Sequence, residues 1–197
     1  MEKKYKLTDE TINVGGKKLC RIEALKDFGD VKKGDKGGFI EDEHNLSHDG
    51  NSWVYGNAMV YGNAMVCDNG RVYGNAMVYG NAMVYGNAMV YGNGRVYDNG
   101  RVYDNAMVCD NGRVYGNAMV CDNGKIENNS DYIVFKNWWS SGRYFTWTRS
   151  NNMWSVGCFY GTGEELIKKA YKDSEKSGRE YERIVKYVEE IKKENGK

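Results

Sequence analysis

Residues Val72–Met89 read VYGNAMVYGNAMVYGNAM, and variants of the same six letters fill the middle of the chain. From Val54 to Lys125 twelve hexads follow without an insertion, each opening on Val and carrying Asn at its fourth place, as in VYGNAM, VCDNGR and VYDNGR. Asn keeps this register outside the clean run, at Asn45, Asn51 and Asn129. Gly-Asn or Asp-Asn in every hexad opposes a helix, since all are poor helix formers. A strand-and-turn reading accommodates them. Ala-Met-Val-Tyr makes a short strand with Ala and Val on one face and Met and Tyr on the other. Gly-Asn makes the bend, with Asn and the adjacent Gly suited to a left-handed conformation. Small Ala or Gly beside Val predicts a narrow interior.

Val60 with Ala64, Val78 with Ala82 and Val114 with Ala118 place a small residue four positions after an aliphatic one. On this motif the chain resembles the hexapeptide-repeat, left-handed parallel β-helix proteins. The resemblance implies three hexads per triangular coil, so that residues 18 apart stack. At about 4.8 Å between strands, the coils would form a prism roughly 20 to 25 Å long. The run YKLTDETINVGGKKLCRIEALKDFGDVKKGDKGGFIEDEHNLSHDGNSWVYGNA from Tyr5 is similar to the front of bacterial and phage hexapeptide proteins commonly labelled acyltransferases. The tail VGCFYGTGEELIKKAYKDSEKSGREYERIVKYVEEI is similar to an ending of phage-encoded members. The expected fold is mainly β: a left-handed parallel β-helix over residues 48–130, an N-terminal cap over 1–47 and a small C-terminal α+β domain over 131–197.

Composition bounds the partners. Lys and Arg number 28 against 27 Asp and Glu, so no overall field points to nucleic acid, a membrane or an acidic substrate. No signal peptide and no run of roughly 18 apolar residues is apparent, which predicts a cytoplasmic protein, in the host cytoplasm if phage encoded. Cys20, Cys67, Cys109, Cys121 and Cys158 contain no CxxC, and read as free thiols without a metal site. With 25 Gly and no Pro, turns rest on Gly and Asn.

Stacking by 18 sorts the outward side chains into three faces. The first carries Met59/Tyr61, Met77/Tyr79, Arg95/Tyr97 and Arg113/Tyr115. The second carries Trp53/Tyr55, Arg71/Tyr73, Met89/Tyr91 and Met107/Cys109. The third carries Met65/Cys67, Met83/Tyr85, Arg101/Tyr103 and Met119/Cys121. Stacked Met, Tyr and Arg suit a contact surface for identical subunits or another protein. The competing reading is structural, with Tyr ladders stabilising neighbouring strands.

The resemblance also implies an enzyme alternative: a His general base, acyl-CoA bound between neighbouring prisms, and homo-oligomers, trimers included. The chain offers only His44 and His48, both in EDEHNLSHDGN ahead of the clean coils. His48 falls on the inward register and reads as a cap residue. His44 sits near a turn beside Glu41, Asp42 and Glu43, and no third ligand makes the pair a metal site. GDKGG at Gly34–Gly38 lacks the phosphate-loop pattern and reads as a turn.

At the ends, KYKLTDETINVGGKKLCRIEALKDF predicts two short strands around Gly15-Gly16 that close the solenoid. YIVFKNWW, RYFTWTR and MWSVGCFY predict a three-stranded meander. Helices are expected from Glu164 to Lys172 and from Arg179 to Lys193, the second with Tyr181, Ile184, Val185, Val188 and Ile191 on one stripe. Lys136, Trp138, Trp139, Arg143, Tyr144, Trp147, Arg149 and Trp154 interleave aromatic and basic groups, either as core or to stack a nucleotide or single strand.

The leading expectation is a non-enzymatic phage or prophage binding protein that oligomerises and holds a host protein or small ligand, in a counter-defence role for instance. Its candidate binding residues are Tyr61, Tyr79, Tyr97, Tyr115, Arg95, Arg113, Met59, Met77, Trp138, Trp147 and Arg143. No catalytic group, metal or cofactor is expected, with His44 or His48 and acyl-CoA entering only under the enzyme alternative. No membrane is expected as partner, and nucleic acid is the weakest partner class.

Overall fold

The computed structural model describes residues 2–195. Met1, in the expected cap, and Gly196 and Lys197, in the expected C-terminal domain, lie outside the described residues. The architecture is mainly β: a parallel β-solenoid of about five turns, an antiparallel sheet and two helices near the C-terminus.

The N-terminal strands β1 (Tyr5–Val14) and β2 (Lys17–Ala24) form a hairpin about Gly15 and Gly16, both with positive φ. Strand β3 (Lys36–Ile40) pairs antiparallel with β2 and parallel with the Met59–Val60 strand. The hairpin therefore extends one solenoid sheet beyond the first turn. Thirteen two-residue strands follow, from β4 (Trp53–Val54) to β16 (Lys125–Ile126). They stack in three parallel sheets. Partners lie 18 residues apart, as Met89 with Met107 and Val90 with Val108. Amides of one turn bond carbonyls of the next, such as Met59 N to Ala76 O and Tyr61 N to Val78 O, both 3.0 Å.

The repeat valines and alanines are fully buried in one continuous core, as their alternation predicts. The bend differs from the sequence expectation. No repeat asparagine has a positive φ; the left-handed residue is the Gly or Asp before it, among them Asp68 (φ 55°) and Asp98 (φ 55°). Asp enters that region more readily than most residues, and here Asp68 Oδ2 also reaches the next coil, accepting from Gly86 N at 3.1 Å. Asn instead builds ladders. At one corner Asn63, Asn81 and Asn99 each pass an amide N–H to the carbonyl of the next asparagine at 3.1 to 3.4 Å, the last of them to Asn117. At another, Asn51, Asn69 and Asn87 do so at 3.0 to 3.2 Å, the last of them to Asn105.

The expected GDKGG turn is a turn only at its start. Gly37 and Gly38 are buried in β3, where a Cβ on Gly38 would sit 2.4 Å from the Ala58 carbonyl oxygen. These glycines permit a strand to press on the first coil. Trp53, expected to face outward, is buried under the N-terminal hairpin and meets Phe28 (5.3 Å) and Tyr5 (6.1 Å) edge-on.

The C-terminal sheet has four strands rather than three: β17 (Tyr132–Lys136), β18 (Tyr144–Thr148), β19 (Met153–Val156) and β20 (Phe159–Gly161). Gly157, at φ 60°, turns MWSVGCFY into a hairpin of its own. Helix α1 (Gly163–Asp173) starts with a capping box, Thr162 and Glu165 bonding each other's backbone N–H. Helix α2 (Glu175–Asn195) starts four residues earlier than expected. Gly178 lies inside it, where the Tyr171 ring packs: an added Cβ would come within 2.3 Å of that ring. Trp139, Phe145, Trp147, Trp154 and Tyr181 centre a second core between sheet and helices.

Candidate functional site

The first face keeps its expected line and lengthens it. Phe39, Met59, Met77, Arg95 and Arg113 lie in one register across the sheet. Beside them Tyr61, Tyr79, Tyr97 and Tyr115 stack with centroids 5.0 to 5.1 Å apart and planes within 8°. Burial raises the Tyr61 and Tyr97 phenols, which therefore stay neutral donors near pH 7. Stacked rings of this kind contribute about 0.5 to 1.5 kcal/mol per pair. Arg95 and Arg113 are exposed and, among the described residues, make no ion pair. Arg21, Arg71, Arg179 and Arg183 by contrast all contact carboxylates.

The other faces are partly covered. On the second, Tyr73 and Tyr91 stack, Tyr55 donates to Asp30 at 2.8 Å, and Cys109 is buried rather than exposed. Cys109, Asp110 and Glu127 bring ligand-type atoms within 4.8 Å of one another. There burial raises the Cys109 thiol, and the Lys125 ammonium pairs with Glu127. On the third, the C-terminal unit covers Cys121, whose sulfur meets Ser155 Oγ at 3.0 Å.

Both histidines serve the cap. His48 accepts from Lys4 N through Nδ1 at 3.2 Å and stacks on Tyr5 at 4.3 Å. Its Nε2 is buried without a hydrogen bond; Glu43 Oε2 lies 3.5 Å away, too poorly placed to accept. His44 points Nδ1 at Asp42 Oδ1 (3.1 Å) and Nε2 at Gly62 O (2.8 Å). Partial burial disfavours its charge, but two acceptors facing two ring nitrogens outweigh it, and the pKa is raised.

Lys4 was not legible as a special residue in the charged start of the chain. Its side chain is almost wholly buried, with Nζ 2.8 Å from Ser52 O, 3.2 Å from Ser52 Oγ and 3.4 Å from Asp49 O and Gly50 O. Burial pushes this ammonium down to about 8, against the raising effect of Asp49.

In the C-terminal unit Trp138 is 71% exposed, whereas Trp147 belongs to the core and donates to Asn152 Oδ1 at 2.9 Å. A candidate binding role for the Trp147 ring is thus replaced by a packing role: so small a unit needs its largest rings inside. Arg143 lines one cavity within the C-terminal unit and a second where this unit meets the solenoid. Arg101, Asn117 and Tyr144 stand there with it, and sequence reasoning did not join them. Arg101 and Asn117 could be placed by the 18-residue register; their meeting with the β17–β18 turn has no local signal.

With this geometry in place, the comparison with known families is informative. A family model described as the YdcK beta solenoid repeat matches residues 54–68, 71–85 and 82–98. Those matches fall wholly on the stacked turns and concern the repeat alone. No curated protein matches the chain. No helix among the described residues is long and apolar enough to cross a membrane.

Proposed function

We propose that the chain is a non-enzymatic binding protein, a left-handed β-helix with three hexads per turn whose first face docks another protein surface, a second copy of the chain included. One observation carries this reading. Arg95 and Arg113, adjacent in register and without a carboxylate partner among the described residues, share an uncovered strip with Met59, Met77 and four stacked tyrosines. Arg and Tyr are the side chains that most often anchor interfaces. The similarity of both chain ends to phage proteins makes host proteins the first partners to try. The acyltransferase alternative requires a free histidine base, and His44 and His48 are both engaged in holding the cap.

Native mass measurement and capture from host lysate, run on the wild type and on Arg95→Glu/Arg113→Glu, test the reading. The expected result is an oligomer or captured species that the variant loses while its melting temperature stays unchanged. A monomer with identical capture by both proteins would refute it. Acyl transfer from acetyl-CoA, abolished by His44→Ala/His48→Ala, would replace it with the enzyme alternative.

A further inference from the structure

Five arginines make no ion pair among the described residues, Arg95, Arg101, Arg113, Arg143 and Arg149. Two of them converge. Arg101, from the third face, and Arg143, from the β17–β18 turn, line one cavity of about 240 Å³ with Asn99, Asn117 and Tyr144. Asn117 and Tyr144 also line the adjoining recess of about 450 Å³, together with Tyr115, Tyr132 and Asn129. Among the described residues, no carboxylate lines either space.

The asparagine ladder ends here. Its amides all point one way, each Nδ2 donating to the next Oδ1, so Asn117 accepts from Asn99 and presents its own Nδ2 with no acceptor among the described residues. The Asn117 backbone N–H is open as well. Asn81 N and Asn99 N, at the same place in earlier turns, bond a carbonyl of the following turn, and Asn117 has no following turn to meet. Two guanidinium groups and outward-pointing N–H donors, with no carboxylate between them, suit a phosphate group. Beside it, Tyr115 and Tyr132 meet edge-on at 6.3 Å, and the exposed Tyr144 ring lies under Lys136 at 5.5 Å. An aromatic recess with amide groups at its rim suits a planar heterocycle.

We propose that this junction binds a nucleoside monophosphate, its phosphate held by Arg101, Arg143 and Asn117 and its base in the recess of Tyr115, Tyr132 and Tyr144. The site shares Tyr115 with the docking strip, but neither Arg95 nor Arg113 lines it, and the proposal goes beyond the docking reading. Arg95→Glu/Arg113→Glu should bind nucleotide like the wild type, so the two proposals fail separately.

Calorimetric titration of the full chain with AMP, UMP, adenosine and inorganic phosphate tests it. AMP or UMP should bind saturably, with adenosine and phosphate each weaker. Arg101→Met/Arg143→Met should weaken nucleotide binding about tenfold to a hundredfold, the size of lost charge-assisted bonds. Tyr144→Ala should weaken AMP but leave the weak phosphate affinity unchanged. Asn117→Asp, which sets a negative charge at the ladder's end, provides a second variant should the arginine pair fail to fold. The proposal is overturned if neither nucleotide binds, if adenosine binds as tightly as AMP, or if folded variants bind like the wild type.

Discussion

The two ends of the solenoid face opposite chemical problems. Each turn gives its N–H groups to the next turn and takes N–H groups from the one before, so the first turn leaves carbonyls open and the last leaves amides open. Donors close the first end. The Lys4 ammonium reaches three carbonyls, and the Tyr5 hydroxyl bonds Leu46 O at 2.7 Å and Glu43 O at 2.9 Å. Acceptors close the last end: Thr146 Oγ1 takes Met119 N at 2.9 Å and Ser150 Oγ takes Lys125 N at 2.7 Å. The direction of a parallel stack thus decides which side chains can finish it, and a lysine becomes useful inside a protein where carbonyls outnumber donors.

The strongest way to break this comparison is Lys4→Met. It leaves buried carbonyls without donors and should lower stability by about 3 kcal/mol, measured by chemical denaturation. The depressed pKa carries a sign. Between about 8 and the ordinary lysine value of 10.5 the unfolded chain binds more protons than the folded one, so wild-type stability should rise with pH in that window. Lys4→Met should lose that rise. A variant as stable as wild type would mean the open carbonyls are served well enough by water.

Thr146→Val removes one acceptor at the opposite end and should cost about 1 to 2 kcal/mol. Faster amide exchange at Met119 would be its local signature, and unchanged exchange would show that the hydroxyl does not close this edge. The smallest effect belongs to His44. Its raised pKa means that its charge stabilises the cap fully below about 6.5 and that this contribution fades as pH rises through the folded value. An NMR titration should place His44 above the ordinary histidine value; a midpoint at or below it would remove the Asp42 and Gly62 contacts from the account.

Legibility followed repetition. The inward Val and Ala and the outward Tyr could be read from the hexads, while the 18-residue pairing came with the resemblance to hexapeptide-repeat proteins and is the pairing the strands make. The left-handed bend was assigned to Asn as well as to the Gly beside it, since Gly-Asn leaves either residue as the twisted one, and only the ladder of amides decides between them. The C-terminal unit, with no repeat, showed its aromatics but not their placement: Trp138 lies in solvent and Trp147, nine residues on, in the core.

By itself the sequence determined the solenoid, through a small apolar pair every six residues that only a tightly wound strand can bury, and it determined which side chains face outward. Only the tertiary structure decided how much of those walls remains open: the hairpin hides Trp53, the C-terminal sheet hides Cys121, and Arg101 meets Arg143. The reason is range. A repeat prescribes contacts at one fixed separation, whereas end caps and the junction join residues separated by tens of positions at distances set by packing rather than by any pattern in the chain.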